Sequence, residues 1–508
     1  MSRTVAVAIT LAAALFACRS SGDDTTGDDV DAPTGGGIHI QDVQNDSMAP
    51  GTPVALKGVI VTAIDTYGAK TGDFWVEEPG GGPFSGVHVF GAPLASVSTL
   101  AVGDIVDIAG AQKDEFALAS DMSGRTITEL KAANGAMMTV TKTGTGTVPA
   151  PMVVDALAIG QKDTQAERDA EWEKWEGVLI TVNNISKLSS VQKIGGATPD
   201  PTLEKFDVTG QLVLESALSA FPTTGLGNNA CLASATGVLD YFFDYLLYQR
   251  NTADVVTGGM SCPAAEAAAT CADSIDNDGN GFKDCADNSC IPALAACRAV
   301  TTIPALQTTT PMGGIELQGV IVTALSKAVP TAQNKRFNMW VQTNAGVPGP
   351  NESVYIFGPG SDLTAFPVGS KVNVIGTVQE FNDNMGTETL TEIKALTITA
   401  ANGMAGTTPV TGKTAAELSV AATGEPYEGA MVTLSNVKVT ALGNAGNFGV
   451  GSMSSGGTTF KTDDDIFLVA SAVNTCFATI TGVWTYMPFD NVYGFLPLAA
   501  GTGTGVCP

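Results

Sequence analysis

Residues 271–290, CADSIDNDGNGFKDCADNSC, place oxygen-bearing side chains at the spacing of a cation-binding loop. A calcium ion needs six or more oxygen ligands around one point, and alternate residues supply them as a loop curls, with glycine at the sharp turn. Gly281 takes the turn position of a twelve-residue loop that starts at Asp276. The predicted ligands are Asp276, Asp278, Asn280, the carbonyl of Phe282, Asp284 and Asp287. The segment therefore predicts calcium as a structural cofactor.

This spacing resembles EF-hand, dockerin and thrombospondin type 3 loops, and it is especially similar to acidic, cysteine-containing inserts of secreted bacterial proteins. It departs from the EF-hand at its last position, where Asp287 is shorter than the usual bidentate glutamate, and no amphipathic helices flank it. We therefore expect a Kd of roughly 10⁻⁴ to 10⁻³ M, as in extracellular modules. The alternative is an acidic linker held by disulfides.

The charge balance of the chain limits its partners. With 51 acidic and 25 basic residues, the net charge is -26. Nucleic-acid binding depends on Lys and Arg that neutralise phosphates, so nucleic acid is an unfavourable partner. Short Val, Ile, Thr and Phe runs between Gly, Asn, Asp and Pro predict β-strands and turns. The one good helical candidate is the segment 163–175.

The elements that position these residues come from an internal duplication. GVIVTAID from Gly58 returns as GVIVTALS from Gly319, GVHVFG returns as SVYIFG, and KWEGVLITVNNI from Lys174 matches PYEGAMVTLSNV from Pro426. The shared order of these landmarks predicts two similar units, residues 38–262 and 301–508. Alternation such as Val106 and Ile108 around Asp107, or Val372 and Val374 around Asn373, predicts strands with one buried face.

The strand series resembles the OB-fold modules found beside the catalytic domain of bacterial extracellular nucleases and in many secreted lipoproteins. This resemblance implies an all-β fold of tandem OB-fold-like small barrels, in two duplicated units joined by a disulfide-rich calcium loop. The expected segments are a signal peptide at 1–17, a lipidated cysteine with a disordered tether at 18–37, an OB-like domain at 38–135, a β-domain at 136–262, the calcium-binding linker at 263–300, and again an OB-like domain at 301–403 and a β-domain at 404–508.

The eight cysteines that follow Cys18 suit disulfide bonds in an oxidising compartment. The duplication predicts an equivalent bridge in each unit, because two pairs have the same spacing, namely Cys231 with Cys262 and Cys476 with Cys507. Four cysteines remain for the linker and permit three connectivities, of which we favour Cys271 with Cys285 and Cys290 with Cys297. A zinc site is the alternative for these four, although paired Cys-x-x-Cys spacings are lacking.

The first residues predict export. Arg3 is followed by an apolar run from Val5 to Ala17 that is too short to span a bilayer as a mature helix. Leu15 and Ala17 before Cys18 resemble a bacterial lipoprotein cleavage box, which implies lipidation of Cys18 and a membrane anchor; ordinary secretion is the alternative. Arg19 stands where an inner-membrane retention signal places Asp, so the resemblance implies an outer-membrane lipoprotein, surface-exposed or secreted.

The sequence offers little catalytic machinery. Its two histidines are His39 and His88, and the second aligns with Tyr355 in the other unit. A G-x-S-x-G motif is absent as well, so we expect a protein that is not an enzyme and has no catalytic residues. A hydrolase with a novel metal site, built from converging carboxylates, is the rival interpretation.

Aromatic residues suggest where a partner binds. YFFDYLLYQR at 241–250 and YMPFDNVYGF at 486–495 are counterparts by offset, which aligns Tyr241 and Tyr248 with Tyr486 and Tyr493. These four tyrosines either pack on the sheet or form a platform for sugars or bases. The triplet Asp463, Asp464 and Asp465 is either an exposed acidic turn or another cation site.

These observations favour a non-enzymatic cell-surface lipoprotein with a binding or envelope-structural role, whose partner is a glycan or an envelope protein. An OB-type accessory protein that binds oligosaccharide or nucleic acid is the alternative, and it requires a local basic or aromatic groove.

Overall fold

A computed structural model describes residues 37–67, 72–135, 137–194, 203–309, 311, 313–330, 333–382, 388–443 and 449–507. The strands are β1 (Pro53–Ile64), β2 (Phe74–Glu77), β3 (Gly86–Val89), β4 (Asp104–Phe116), β5 (Ile127–Ala132), β6 (Thr139–Thr145), β7 (Met152–Val154), β8 (Leu179–Ser186), β9 (Gln192–Lys193), β10 (Glu204–Val208), β11 (Leu212–Glu215), β12 (Cys231–Phe242), β13 (Asp244–Tyr248), β14 (Val255–Thr257), β15 (Arg298–Thr301), β16 (Gly314–Leu325), β17 (Met339–Gln342), β18 (Ser353–Phe357), β19 (Ser370–Phe381), β20 (Leu390–Met404), β21 (Met431–Ala441), β22 (Gly451–Ser455), β23 (Thr458–Thr462), β24 (Cys476–Met487), β25 (Val492–Pro497) and β26 (Thr502–Thr504).

Helices are short and few in these ranges. They are α1 (Ile40–Val43), α2 (Leu94–Val97), α3 (Ala156–Gly160), α4 (Gln165–Glu173), α5 (Cys290–Ala293), α6 (Ile303–Leu306), α7 (Ala415–Leu418) and α8 (Ala421–Gly424). Among the residues that can be described, no helix has the length and hydropathy required to cross a bilayer.

The first sheet closes into a small barrel. Its strands run in the order β1-β2-β3-β5-β4, and a second pairing of β4 with β1 completes the ring. Strand β3 lies parallel to β5, whereas the other neighbours are antiparallel. Val106 and Ile108 of β4 point into a core shared with Leu56 of β1 and Val87 of β3. The predicted alternation around Asp107 is therefore confirmed.

The third sheet repeats this plan in the second unit. Its order is β16-β17-β18-β20-β19, closed by the pairing of β16 with β19, and β18 lies parallel to β20. Trp75 pairs with His88 across β2 and β3, just as Trp340 pairs with Tyr355 across β17 and β18. The predicted duplication and the OB-fold-like barrels are confirmed by this equivalent order and register.

The second and fourth sheets are also related to each other. In the fourth, β21-β22-β23-β25-β24 is closed by β21 with β24, and β23 lies parallel to β25. In the second, β8, β12, β13, β11 and β10 follow the corresponding path, and an isolated bridge joins Lys187 to Val208. The buried indoles of Trp172 and Trp484 donate to the carbonyls of Gly210 and Leu418, which fixes a helical segment over each sheet.

The predicted helix at 163–175 is confirmed as α4. Thr164 caps its start, since its hydroxyl accepts from the amide of Glu167 while the Glu167 carboxylate accepts from the amide of Thr164. The sheets extend past two of the predicted segment boundaries. Strand β6 pairs with β4 of the first sheet, and β15 leaves the linker to pair with β16.

A Glu-Gly dipeptide shortly before β8 and another shortly before β21 join neighbouring sheets. Glu428 accepts the amide of Thr391 in β20 at 2.9 Å and the amide of Tyr486 in β24 at 3.1 Å. In the first unit, Glu176 accepts the amide of Thr128 in β5 at 2.7 Å. Burial raises the pKa of both carboxyls well above the usual value for glutamate. In the second unit, one side chain thus satisfies backbone donors that belong to two different sheets.

Replacement of Glu428 by alanine is expected to leave the amides of Thr391 and Tyr486 buried without an acceptor. At about 1–3 kcal/mol for each of the two unsatisfied groups, the free energy of unfolding should fall by roughly 2–6 kcal/mol, measured by urea denaturation. Hydrogen exchange of these two amides should accelerate. Asp207→Asn, on an exposed position of β10, is the matched control, and an equal loss in both variants would contradict this role for Glu428.

Candidate functional site

Four carboxylates of the linker converge where the sequence predicts a calcium loop. Ligand atoms of Glu266, Asp276 and Asp278 all lie within 4.8 Å of one another. Asp287 joins them, since its Oδ2 accepts the side-chain amide of Asn280 at 2.5 Å, and its negative charge raises the pKa of Asp278. All four carboxylates are buried. Like charges in one buried cluster repel each other unless a cation or protons neutralise them.

Backbone turns hold the predicted loop around this cluster. Asp276 accepts the amides of Gly279 and Asn280 through Oδ1 and the amide of Gly281 through Oδ2. Gly281 has a φ of +90°, and a Cβ there would overlap the Gln211 side chain. Glycine is therefore required both by the left-handed backbone and by the close packing of the loop on the second sheet.

Glu266 is not among the ligands predicted from the sequence. Its Oε1 accepts the amide of Asn277 at 2.9 Å, while Oε2 is buried and has no hydrogen-bond partner. This buried acceptor faces the other carboxylates and fits a divalent cation that takes oxygen ligands. Nothing in the local spacing reveals it, because Glu266 precedes the loop and reaches it only through the fold of the linker.

Asp284, another predicted ligand, makes a different contact. Its carboxylate accepts the amide of Ser274 at 3.1 Å, so it faces the segment just before the loop. At Phe282 the predicted ligand is the carbonyl; the side chain is exposed, and the amide donates to the side-chain oxygen of Asn280. The residues brought together by the fold are Glu266, Asp276, Asp278, Asn280 and Asp287.

Burial sets the protonation of the cluster. It raises the pKa of Asp278 to about 7, helped by the negative charges of Asp287 and Asp276, and it raises the pKa of Glu266 to about 7. The pKa of Asp276 is also raised by burial, although three backbone amides oppose the change. Protons thus neutralise part of the cluster when no cation does so.

The linker contacts both units. On one side, the carbonyl of Gly279 accepts the amide of Gly210 at 2.7 Å, and Gln161 donates to the carbonyl of Asp276 at 2.9 Å. On the other side, Arg298 donates to the carbonyl of Ile291 at 2.9 Å and to Glu316 of β16 at 2.7 Å. The acidic cluster therefore lies in a segment that is hydrogen-bonded to the second and the third sheets.

The disulfides of the two units pair as predicted, Cys231 with Cys262 and Cys476 with Cys507. Those of the linker do not. The favoured pairing of Cys271 with Cys285 and Cys290 with Cys297 is wrong, because the structure joins Cys271 to Cys290 and Cys285 to Cys297. The two bridges overlap in sequence, which draws α5 back over the loop and buries Cys271, Cys290 and Cys297 in one small cluster.

Disulfide mapping distinguishes these pairings. Cleavage before Asp284 and Asp287 isolates Cys285 from the other cysteines but leaves Cys290 and Cys297 in one peptide. The same cleavage leaves Cys262, which is bridged to Cys231, in the peptide that contains Cys271. The structure therefore predicts that four peptides stay joined until reduction, whereas the pairing favoured from sequence leaves a three-peptide product and a looped peptide. Further cleavage after Leu294, followed by mass spectrometry, should join Cys271 to Cys290. Recovery of Cys271 joined to Cys297 would contradict the structure.

The predicted lipidation site, Cys18, lies outside the described residues, as do the signal peptide and nearly all of the tether. His39 is exposed beside Glu78, with Nδ1 3.4 Å from Oε1. Ligand atoms of Asp463, Asp464 and Asp465 also lie within 4.8 Å of one another, but the first two residues are only partly buried and the third is exposed. Lys327 already forms an ion pair with Asp464 there.

A second site, which sequence reasoning missed, is a cavity of about 410 Å³ between the first and second sheets. Its first wall contains Trp75, His88 and Glu129, which are neighbours on β2, β3 and β5. Its second wall contains Asp240 on β12 and Tyr248 on β13. The other lining residues are Asp65, Tyr67, Asp73, Phe90, Phe116, Ile127, Leu203, Ala217, Leu218, Tyr241 and Phe242.

His88 is the central polar group of this cavity. Its ring stacks on Trp75 with centroids 4.6 Å apart, and its Nδ1 lies 3.4 Å from Asp240 Oδ2. Neither ring nitrogen makes a hydrogen bond. Burial lowers the pKa of His88 to about 4, against the opposing charge of Asp73, so the imidazole is neutral at physiological pH.

Burial also changes the acids of the cavity. It raises the pKa of Asp240 to about 8, although Asp240 accepts the Trp75 indole N–H at 2.8 Å. It raises the pKa of Glu129 to about 7, with the charge of Asp114 adding to the effect. Below these values, the protonated acids leave this part of the cavity with little charge.

The structure matches the tyrosines of the two units differently from the alignment by constant sequence offset. Tyr241 contacts Tyr245 edge to face at 5.4 Å, and Tyr486 contacts Tyr493 in the same way at 5.4 Å. Tyr245, rather than Tyr248, is therefore the counterpart of Tyr493. The hairpin after β24 contains an additional turn, Pro488–Asp490, which breaks the constant offset. All four residues of these two pairs are buried, and Tyr248 lines the cavity of the first unit together with Tyr241.

The fold and the disulfides define a protein of OB-fold-like barrels from an oxidising environment. No protein-family description and no curated protein matches the sequence. A chain from a replication protein A heterotrimer bound to ssDNA is similar at 11% identity, with a TM-score of 0.21, over 70% of this chain and 95% of that chain. A chain from a structure on abrogation of activation of pro-inflammatory cytokines is similar at 12% identity, with a TM-score of 0.20, over 42% and 97%. At these TM-scores neither likeness carries a functional argument.

Asp240 should make stability depend on pH. Because its pKa is raised to about 8 in the folded state, the folded protein holds a proton that the unfolded chain releases near its ordinary value. The stability from this proton is fully present below about pH 4 and is lost as the pH rises to about 8. A difference of one between the folded and unfolded pKa values corresponds to about 1.4 kcal/mol of stability.

Asp240→Asn should therefore reduce the fall in unfolding free energy between pH 5 and pH 8, measured by urea denaturation. Asparagine keeps only one of the two oxygens that accept from the Trp75 indole and the Tyr241 amide. The loss of one acceptor adds an offset at both pH values and leaves the slope unaffected. The exposed Asp207→Asn variant should keep the wild-type slope. Equal slopes in all three proteins would show that Asp240 ionises normally.

Proposed function

We propose that this protein is a non-enzymatic lipoprotein of the cell envelope, with a binding or envelope-structural role, whose two OB-fold-like units are held by a calcium-stabilised linker. Lipidation of Cys18 provides the membrane anchor, and the outer membrane is the proposed location. The four disulfides support export to an oxidising compartment. A glycan or an envelope protein is the proposed partner class.

The observation that carries the calcium proposal is the convergence of buried carboxylates in the linker. Glu266, Asp276, Asp278 and Asp287 are at most 6% exposed, which is unfavourable for charged groups without a counter-charge. The buried Oε2 of Glu266 has no hydrogen-bond partner. Carboxylate oxygens suit Ca²⁺, and binding there ties the loop that contacts both units.

A binding role has its own support in the first unit. The cavity between the first and second sheets has aromatic walls and is the right size for a small molecule. Its described lining residues include four carboxyl groups and no Lys or Arg. This lining, together with the net charge of -26, supports a ligand other than nucleic acid. The alternative function is an OB-type accessory protein that binds oligosaccharide or nucleic acid. Of these two ligands, oligosaccharide is compatible with the aromatic walls of the cavity.

Calcium titration of the purified protein by calorimetry tests the linker proposal. Saturable binding with a Kd of roughly 10⁻⁴ to 10⁻³ M is expected. Asp278→Asn should abolish it, and Glu266→Gln should weaken it at least tenfold, because each removes a negative oxygen ligand from the cluster. Absence of heat up to several millimolar calcium would reduce the linker to a disulfide-held spacer.

Asp284→Asn is the matched control, because it removes one carboxylate from the same loop. The Asp284 side chain contacts the amide of Ser274, so this substitution leaves the four carboxylates of the cluster in place. We expect wild-type affinity in this variant. Loss of binding with Asp284→Asn and normal binding with Glu266→Gln would favour the ligand set predicted from the sequence over the one assembled by the fold.

A further inference from the structure

We propose that the cavity between the first and second sheets binds an organic cation, in which an ammonium group is attached to a small apolar body. This inference rests on the binding role proposed for the cavity and assigns it an amine rather than an oligosaccharide. It uses none of the linker residues, so it stands apart from the calcium proposal.

The charges of the cavity favour a positive ligand. Asp65, Asp73, Glu129 and Asp240 line it, and no Lys or Arg occurs among its described lining residues. His88 is neutral and brings no positive charge. A cation entering this space gains attraction from several carboxylates and stabilises their ionised forms, whereas a phosphate or a carboxylate ligand meets repulsion.

The aromatic groups suit both parts of such a ligand. Trp75 and His88 stack with an interplanar angle of 14°, and Tyr248 meets Trp75 edge to face at 5.8 Å. A cation over the Trp75 or Tyr248 ring is attracted by the negative face of the π-system. At the rim, Phe90 and Phe242 are 47% and 48% exposed. An apolar ligand body removes this surface from water.

His88 supplies an unused acceptor. Both ring nitrogens are buried and lack hydrogen bonds, with Nδ1 3.4 Å from Asp240 Oδ2 and Nε2 3.9 Å from Asp73 Oδ2. A neutral imidazole has one nitrogen that accepts and one that donates. A primary ammonium group donates three hydrogen bonds, so it can satisfy His88 and two carboxylates together.

The spacing of the carboxylates favours an organic cation over a metal ion. Within the described ranges, three or more ligand atoms that lie within 4.8 Å of one another occur in the Glu266 cluster and at Asp463–Asp465. The acids of the cavity are not in either group. Their separation leaves room for an ammonium group with its attached carbon body, and the volume of about 410 Å³ agrees with this.

The second unit shows that the barrel does not require these residues. At the equivalent positions it has Asn338 for Asp73, Tyr355 for His88, Thr485 for Asp240 and Leu496 for Tyr248, as the strand registers show. Tyr355 packs on Trp340 with ring centroids 5.0 Å apart, and the Trp340 indole N–H has no acceptor. Glu129 is kept in the second unit as Glu392, which pairs with Tyr355 as Glu129 pairs with His88. The same fold forms without the other three polar groups, so folding does not explain Asp73, His88 and Asp240 in the first unit.

Calorimetry of the full protein at pH 8 with phenethylamine, and with 2-phenylethanol as its uncharged counterpart, tests the proposal. We expect saturable binding of the amine and at least tenfold weaker binding of the alcohol. Equal binding of the two would overturn it, because the cavity would then be an apolar slot without preference for charge. Absence of amine binding up to about 50 mM, well above the range of ordinary small-molecule affinities, would overturn it as well.

Variants that copy the second unit provide the matched control. The triple variant Asp73→Asn, His88→Tyr and Asp240→Thr should retain its fold, since the second unit folds with these residues, and should lose at least tenfold in affinity for phenethylamine. Asp73→Asn alone, which changes a partly accessible group at the cavity, should also weaken binding if the triple variant does not fold. Asp207→Asn should bind normally. Undiminished amine binding in a folded triple variant, or in Asp73→Asn if the triple variant does not fold, would place the binding site elsewhere.

Discussion

The buried glutamate of each Glu-Gly dipeptide is the interaction on which the arrangement of neighbouring sheets depends. Glu428 accepts amides from β20 and β24, and Glu176 accepts an amide from β5 while its own backbone bridges to Leu239 of β12. The following glycine permits this contact, since a Cβ on Gly177 would lie 2.5 Å from the backbone of Gly86. In the first unit, these contacts join the two sheets whose residues line the cavity.

Much of the fold could be predicted because it depends on local pattern. Alternation in β4 and β19, the position of α4, and the order of repeated landmarks all depend on short-range geometry, and the structure confirms them. The spacing from Asp276 to Asn280 likewise predicts a loop whose acids come together. Other features depend on long-range packing. Glu266 reaches the loop through the path of the linker, and the linker disulfides follow the position of α5, which spacing does not determine.

The cavity illustrates a different limit. In the sequence, His88 is a single histidine on one strand whose counterpart is Tyr355, and the offset alignment places Tyr248 opposite Tyr493. The structure shows Tyr245 in that role, since the hairpin after β24 has an additional turn. The asymmetry between the units is therefore informative. Where two copies of one fold differ in a buried polar group, the fold itself does not demand that group.

The linker has no flexible residues where it enters the second unit. Cys297 is bridged to Cys285, and the next residue, Arg298, already belongs to β15, which runs parallel to β16. No residue separates the disulfide at Cys297 from the start of β15, so this junction contains no hinge. A partner that touches both units would therefore find their mutual orientation established before it arrives. Folding has already removed most of the freedom of the two units to rotate relative to each other. A partner that binds both units therefore loses little further orientational entropy on association.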